Sequence, residues 1–134
     1  MVKEMVVKEY LSREMIDAGA ELTGLLDEAR LIVDAALWFY SSENNYWQFV
    51  VASPEVRTQG PKNIYKKIQS VISRNFGENP VISLKDISVV DSKDPLILLL
   101  RSAIATGGGI SHIKFSQNVI NGVFIEDTYI YRLK

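Results

Sequence analysis

Met15, Leu22, Leu25, Leu26 and Ala29 recur at helical spacing, with Glu14, Asp17, Glu21 and Glu28 largely outside their stripe. The pattern predicts a helix over Ser12 to Ala29, with Ser12 as N-cap and Glu14 and Asp17 at the positive end of its dipole. Two aromatic and β-branched runs follow, Ala35 to Tyr40 and Tyr46 to Ser53. They are joined by the turn formers Ser41-Ser42-Glu43-Asn44-Asn45 and predict two paired strands. Pairing Tyr40 with Tyr46 sets Leu37 opposite Phe49 and Phe39 opposite Trp47 on an apolar core face. The other face then carries Trp38, Tyr40, Tyr46 and Gln48, an amphipathic aromatic surface suited to a partner chain or flat ligand.

Gly60-Pro61 opens a second helix, Ile64, Ile68, Val71 and Ile72 form its buried stripe, and Gly77 ends it. A strand over Ile87 to Asp91 comes next. Asp94 caps a third helix with Pro95 at its first position, and Leu96 to Leu100 are apolar on every side. Thr106-Gly107-Gly108-Gly109 is expected to end that helix and lead into a closing hairpin around Asn121-Gly122. Met1 to Tyr10 mixes charged and apolar residues and fits either a helix start or a short strand.

The closing hairpin poses a parity problem. A strict two-residue Asn121-Gly122 loop pairs Ile120 with Val123 and Ile113 with Ile130. The apolar set Val123, Ile125, Tyr129, Tyr131 and Leu133 then faces away from Ile113, Phe115 and Val119. An extra loop residue or a bulge at Gly122 repairs this, because a one-residue slip turns every side chain to the other face. That register sets Gln117 opposite Asp127, a polar pair inside an apolar face.

The resulting order, α-β-β-α-β-α-β-β, predicts an α+β fold: a mixed, mostly antiparallel sheet of about five strands, with three helices packed mainly on one face. The length of 134 residues suits a single globular domain spanning 1–134. The absence of cysteine removes disulfides, thiolate catalysis and Cys-based zinc sites from the reading. No apolar run is long enough to span a bilayer, and acids near the start argue against a signal peptide. The expectation is a soluble cytoplasmic chain with no membrane association.

Candidate chemistry is sparse. Gly107-Gly108-Gly109 follows a helix and precedes a strand, the reverse of a phosphate loop, so it reads as a linker. His112 is the only histidine, and its neighbour Ser111 points to the opposite strand face, so the two are no nucleophile–base pair. Asp91 and Asp127 with His112 are the raw material for a metal-dependent hydrolase or nuclease, though Asp86, Asp91 and Asp94 also read as turn and cap residues. No catalytic residue, metal site or cofactor is assigned.

Lys62, Lys66, Lys67 and Arg74, with Arg57 before them, make a basic run without an acid between. This row reads as a solvated helix face or a site for an anionic partner such as nucleic acid. The acid-rich stretch from Met1 to Arg30 is available to neutralise it. The function expected is a small non-catalytic interaction or accessory protein with a protein partner, either a homo-oligomer or part of a larger complex. A nucleic-acid-associated module and a metal-dependent hydrolase are the alternatives.

Overall fold

A computed structural model describes residues 10–134; the Met1 to Tyr10 expectation lies, but for Tyr10, outside them. The described chain is an α+β fold built on a five-stranded mixed sheet. Its elements are α1 (Arg13–Glu28), β1 (Ala35–Ser41), β2 (Tyr46–Ala52), α2 (Glu55–Gln59), α3 (Pro61–Asn75), β3 (Ile87–Val90), α4 (Pro95–Arg101), β4 (Ile113–Ile120) and β5 (Val123–Leu133). Strand order is β3-β2-β1-β5-β4, with only the β2–β3 pair parallel. The predicted element order holds, and the short α2 is an addition. Among the described residues no helix is long and apolar enough to cross a membrane.

The predicted caps form. Ser12 Oγ accepts from Met15 N at 3.1 Å and Asp94 Oδ1 from Leu96 N at 3.0 Å. Leu22 and Leu26 of α1 and Ile64 and Ile68 of α3 pack against Trp38, Phe49 and Tyr131 on one face of the sheet. Ile97 and Leu100 of α4 cover Leu37, Val50 and Ile130 on the other. Leu98 is half-exposed, so α4 is buried on one side only, short of the all-round burial its sequence suggests. It also stops at Arg101, before the glycines. The segment after it runs beside β5, where Thr106 N donates to Leu133 O and Ser111 N to Tyr131 O.

Both hairpin registers differ from the sequence expectation by one residue. Ser41, not Tyr40, pairs with Tyr46, which sets Tyr40 opposite Trp47 and Trp38 opposite Phe49. The reason is the loop: Asn44 N and Asn45 N both donate to Ser41 O, and Asn45 takes φ of 59°. Four loop residues then suffice, and the slip exchanges the faces of β2. The expected surface of Trp38, Tyr40, Tyr46 and Gln48 therefore does not exist. Trp38 and Tyr40 are buried in the core, while Gln48 falls on the opposite face of β2 from Trp47 and Phe49, and Tyr46 at the strand start is exposed.

The closing hairpin keeps the strict two-residue turn, with φ of 49° at Asn121 and 81° at Gly122, and pairs Ile113 with Ile130. The expected insertion at Gly122 is absent. Parity is repaired inside the arms instead. Gln117 adopts φ of 51° and leaves the ladder together with Glu126. Ile125 packs in the α4-side cluster, whereas Asp127 lines a cavity with Trp47 and Tyr129 on the α1 side. Residues two apart share a face in a regular strand, so the arm changes face at this point. Gln117 does not meet Asp127: it is exposed, and Asp127 is buried opposite Ser116.

A second irregularity lies between Ala36 and Leu37, which pair with Arg132 and Ile130. Tyr131 is the extra residue, so Tyr131 and Arg132 both reach α1. Tyr131 Oη donates to Ile16 O at 2.6 Å, and the Arg132 guanidinium donates to Asp27 at 2.7 and 2.8 Å.

Candidate functional site

Helix α1 is pinned over the sheet by two aromatic donors, Trp38 Nε1 to Met15 O at 3.1 Å and Tyr131 Oη to Ile16 O. Beside its first turn and above β4 and β5 lies a cavity of about 370 Å³. Leu11, Ile16, Trp47 and Tyr129 give it apolar walls, and Lys114, Gln117 and Asp127 add polar groups. Thr128 also lines it, but its hydroxyl is committed to Phe115 O at 2.7 Å. The expected polar residues Gln117 and Asp127 thus share a cavity without forming a pair.

An adjoining recess is lined by Arg13, Asp17, His112 and Tyr129. His112 Nδ1 and Tyr129 Oη lie 2.9 Å apart, and both rings pack edge-on against Tyr131. Burial pushes the Tyr131 hydroxyl well above the ordinary phenol range, so it acts as a neutral donor to the helix.

The residues proposed for metal-assisted hydrolysis are not brought together. Asp91 lies three strands from β5 and at the opposite end of the ladder, roughly 14 Å across and 20 Å along from Asp127. His112 is four residues along the ladder from Asp127, roughly 13 Å. No shared reacting atom is within reach of all three. Among the described residues no group of three His, Asp or Glu is placed to hold a metal ion.

The basic row lies on the outer face of α3, where Lys62, Lys66, Lys67 and Arg74 are exposed. Two charges of the run are matched from within the chain, though not by α1. Arg57 binds Asp91 through Nε at 2.6 Å and Nη2 at 3.0 Å, and Lys67 Nζ stands 3.8 Å from Glu55. Lys62, Lys66 and Arg74 form no ion pair among the described residues.

One solvent-facing apolar feature escaped the sequence reading. At the end of the β4–β5 hairpin, Val119 and Phe124 pair directly across the strands and are 58% and 56% exposed, with Val123 at 48%. The strict Asn121-Gly122 turn carries this information, since it makes Val119 and Phe124 neighbours on one face. Phe124 also lines a smaller hollow with Phe39, Glu43 and Glu126. The chain matches no protein-family model, and no curated protein or solved structure is significantly similar to it.

Proposed function

We propose that this chain is a non-catalytic interaction or accessory protein that docks a protein partner through the end of the β4–β5 hairpin. The observation that carries this reading is the exposed cross-strand pair Val119–Phe124 at the edge of the sheet. An aromatic and a β-branched residue held side by side in water form a ready anchor, and their burial against a partner is favourable without reorganising the fold. The originally expected aromatic surface contributes nothing here, because Trp38 and Tyr40 serve the core.

The test is site-specific photo-cross-linking in cells expressing the protein, with a photoreactive phenylalanine at position 124 and a control at exposed Lys85. A discrete adduct at 124 that Val119→Ser removes supports the reading. Equal labelling at both positions, or none at 124, overturns it.

The exposed Lys62, Lys66 and Arg74 support a second reading, association with a nucleic acid. Filter binding at about 50 mM salt, with weaker retention as salt rises, tests it. Retention unchanged in the triple alanine variant would remove it.

A further inference from the structure

Beside the hairpin end, Phe39 and Phe124 wall a hollow of about 170 Å³ whose rim carries Glu43 and Glu126. The volume lies below the roughly 300 Å³ at which small-molecule pockets begin, and is the room of one long side chain. Among the described residues no Lys, Arg or His lines the hollow, and neither glutamate forms an ion pair.

Both acids stand on held backbone. Glu43 N donates to Ser41 Oγ at 3.3 Å, inside a loop whose Asn44 and Asn45 amides are bound by Ser41 O. Glu126 O accepts from Gln117 Nε2 at 3.4 Å, at the point where the arm changes face. Two carboxylates thus flank two aromatic walls, with no cation of their own among the described residues.

That combination selects an amphipathic cation. An arginine side chain complements each part of it: an aliphatic stem for the Phe39 and Phe124 walls, and a planar guanidinium of the kind that stacks on aromatic rings and donates to carboxylates. Lysine supplies the charge without the plane. We propose that this hollow receives an arginine from a basic segment of a separate partner protein, the polar anchor beside the Val119–Phe124 contact. The inference rests on the reading of the hairpin end as a docking surface and adds the chemistry of what docks there.

The direct test is a titration of isotope-labelled protein with Nα-acetyl-arginine N-methylamide, followed by amide NMR. Blocked norleucine and blocked glutamate are the controls. Arginine is expected to shift the amides of residues 39–43 and 124–126 with saturation at millimolar concentration. The Glu43→Gln/Glu126→Gln double variant, whose preserved spectrum reports its fold, is expected to bind at least tenfold more weakly. Equal shifts from norleucine or glutamate, or an unweakened double variant, would overturn the proposal.

The photo-adduct at position 124 separates this inference from the docking reading. An adduct on a separate protein at an arginine-containing segment supports both. An adduct that persists while the arginine probe is silent, or that maps to a segment without arginine, retains docking and ends the cationic anchor. An adduct on a second copy of this chain overturns the separate partner.

Discussion

Gly19 of α1 lies directly against Tyr131 of β5: a Cβ built on Gly19 falls into the Tyr131 hydroxyl and within 2.7 Å of two of its ring carbons. This closeness lets Tyr131 Oη reach Ile16 O at 2.6 Å and carry the helix on the sheet. Tyr131 has no room to retreat, being fully buried among Phe49, His112 and Tyr129. Gly19→Ala is therefore expected to cost about 1–3 kcal/mol in urea denaturation through overpacking. Gly24, in the same helix, meets only Ile110 Cδ1 at 3.7 Å, so Gly24→Ala is expected to stabilise by about 0.5–1 kcal/mol. Equal effects at the two positions would refute the close packing.

Arg30 occupies the left-handed position that ends α1, with φ of 63°. Leu31 N donates to Leu26 O at 3.1 Å and Arg30 N to Asp27 O at 2.9 Å, the paired bonds of a Schellman cap, and Leu26 and Leu31 are both buried. A glycine meets this conformation without the Cβ penalty. Arg30→Gly is expected to raise stability by about 0.5–1 kcal/mol, and Arg30→Val to lower it. The order of the three midpoints in thermal unfolding checks the assignment; a glycine variant below the parent would contradict it.

Element order was legible because its signals are local: Ser12 and Asp94-Pro95 as starts, Gly77 as a stop, and a single stripe on α1 and α3. Register was not. In the β1–β2 loop, the left-handed turn at Asn45 decides whether Tyr40 or Ser41 meets Tyr46, and Asn signals only that such a turn is available. β1 and β5 lie inside the sheet, with a cluster on each face, so Trp38 and Leu37 are both buried and alternation carries no sign of which face is core. The parity conflict of the last hairpin was real and visible. Its resolution at Gln117 and Tyr131 was not, since neither residue type marks an irregularity. The slip in the first hairpin misplaced the aromatic surface on buried Trp38 and Tyr40, and the slip in the last hid the exposed Phe124.

Arg57 and Asp91 tie α2 to the end of β3. The hydrogen bond from Arg57, followed by that from Lys93 N, holds the Asp91 carboxyl below the usual carboxylate range. A carboxyl whose pKa is depressed on folding stabilises the fold above its unfolded value, about 3.9, and that contribution is lost as pH falls through the lower folded value. In Arg57→Gln, a carbon-detected NMR titration of Asp91 is expected to show its midpoint moving up. The stability difference between parent and variant should narrow as the solution is taken from pH 5 toward pH 2. Added salt should narrow it as well, because both groups are in contact with solvent. A midpoint unchanged by the substitution would show that Lys93 N alone sets it.

Arg132 and Asp27 form the more consequential ion pair. The guanidinium is 4% exposed, and besides Asp27 it donates to Gly109 O and Val33 O, each at 3.2 Å. The Asp27 hydrogen bond raises the Arg132 pKa further, so the charge persists at any working pH. Asp27 itself is 41% exposed, so the two sides of the pair are unequal. Removing the carboxylate strands a buried cation with two carbonyls and partial access to water, which argues for a loss of about 2 kcal/mol in Asp27→Ala. Arg132→Met should cost less than Arg132→Ala: both leave Asp27 to water and the Gly109 and Val33 carbonyls without their donor, but the unbranched thioether refills the space. The Asp27→Ala/Arg132→Met double variant is expected to recover most of the single losses, since neither charge then remains. A double-mutant cycle measures this directly: a coupling of about 1.5–3 kcal/mol is expected. Simple additivity of the two substitutions would show that Arg132 is held by the Gly109 and Val33 carbonyls and by packing, not by its carboxylate.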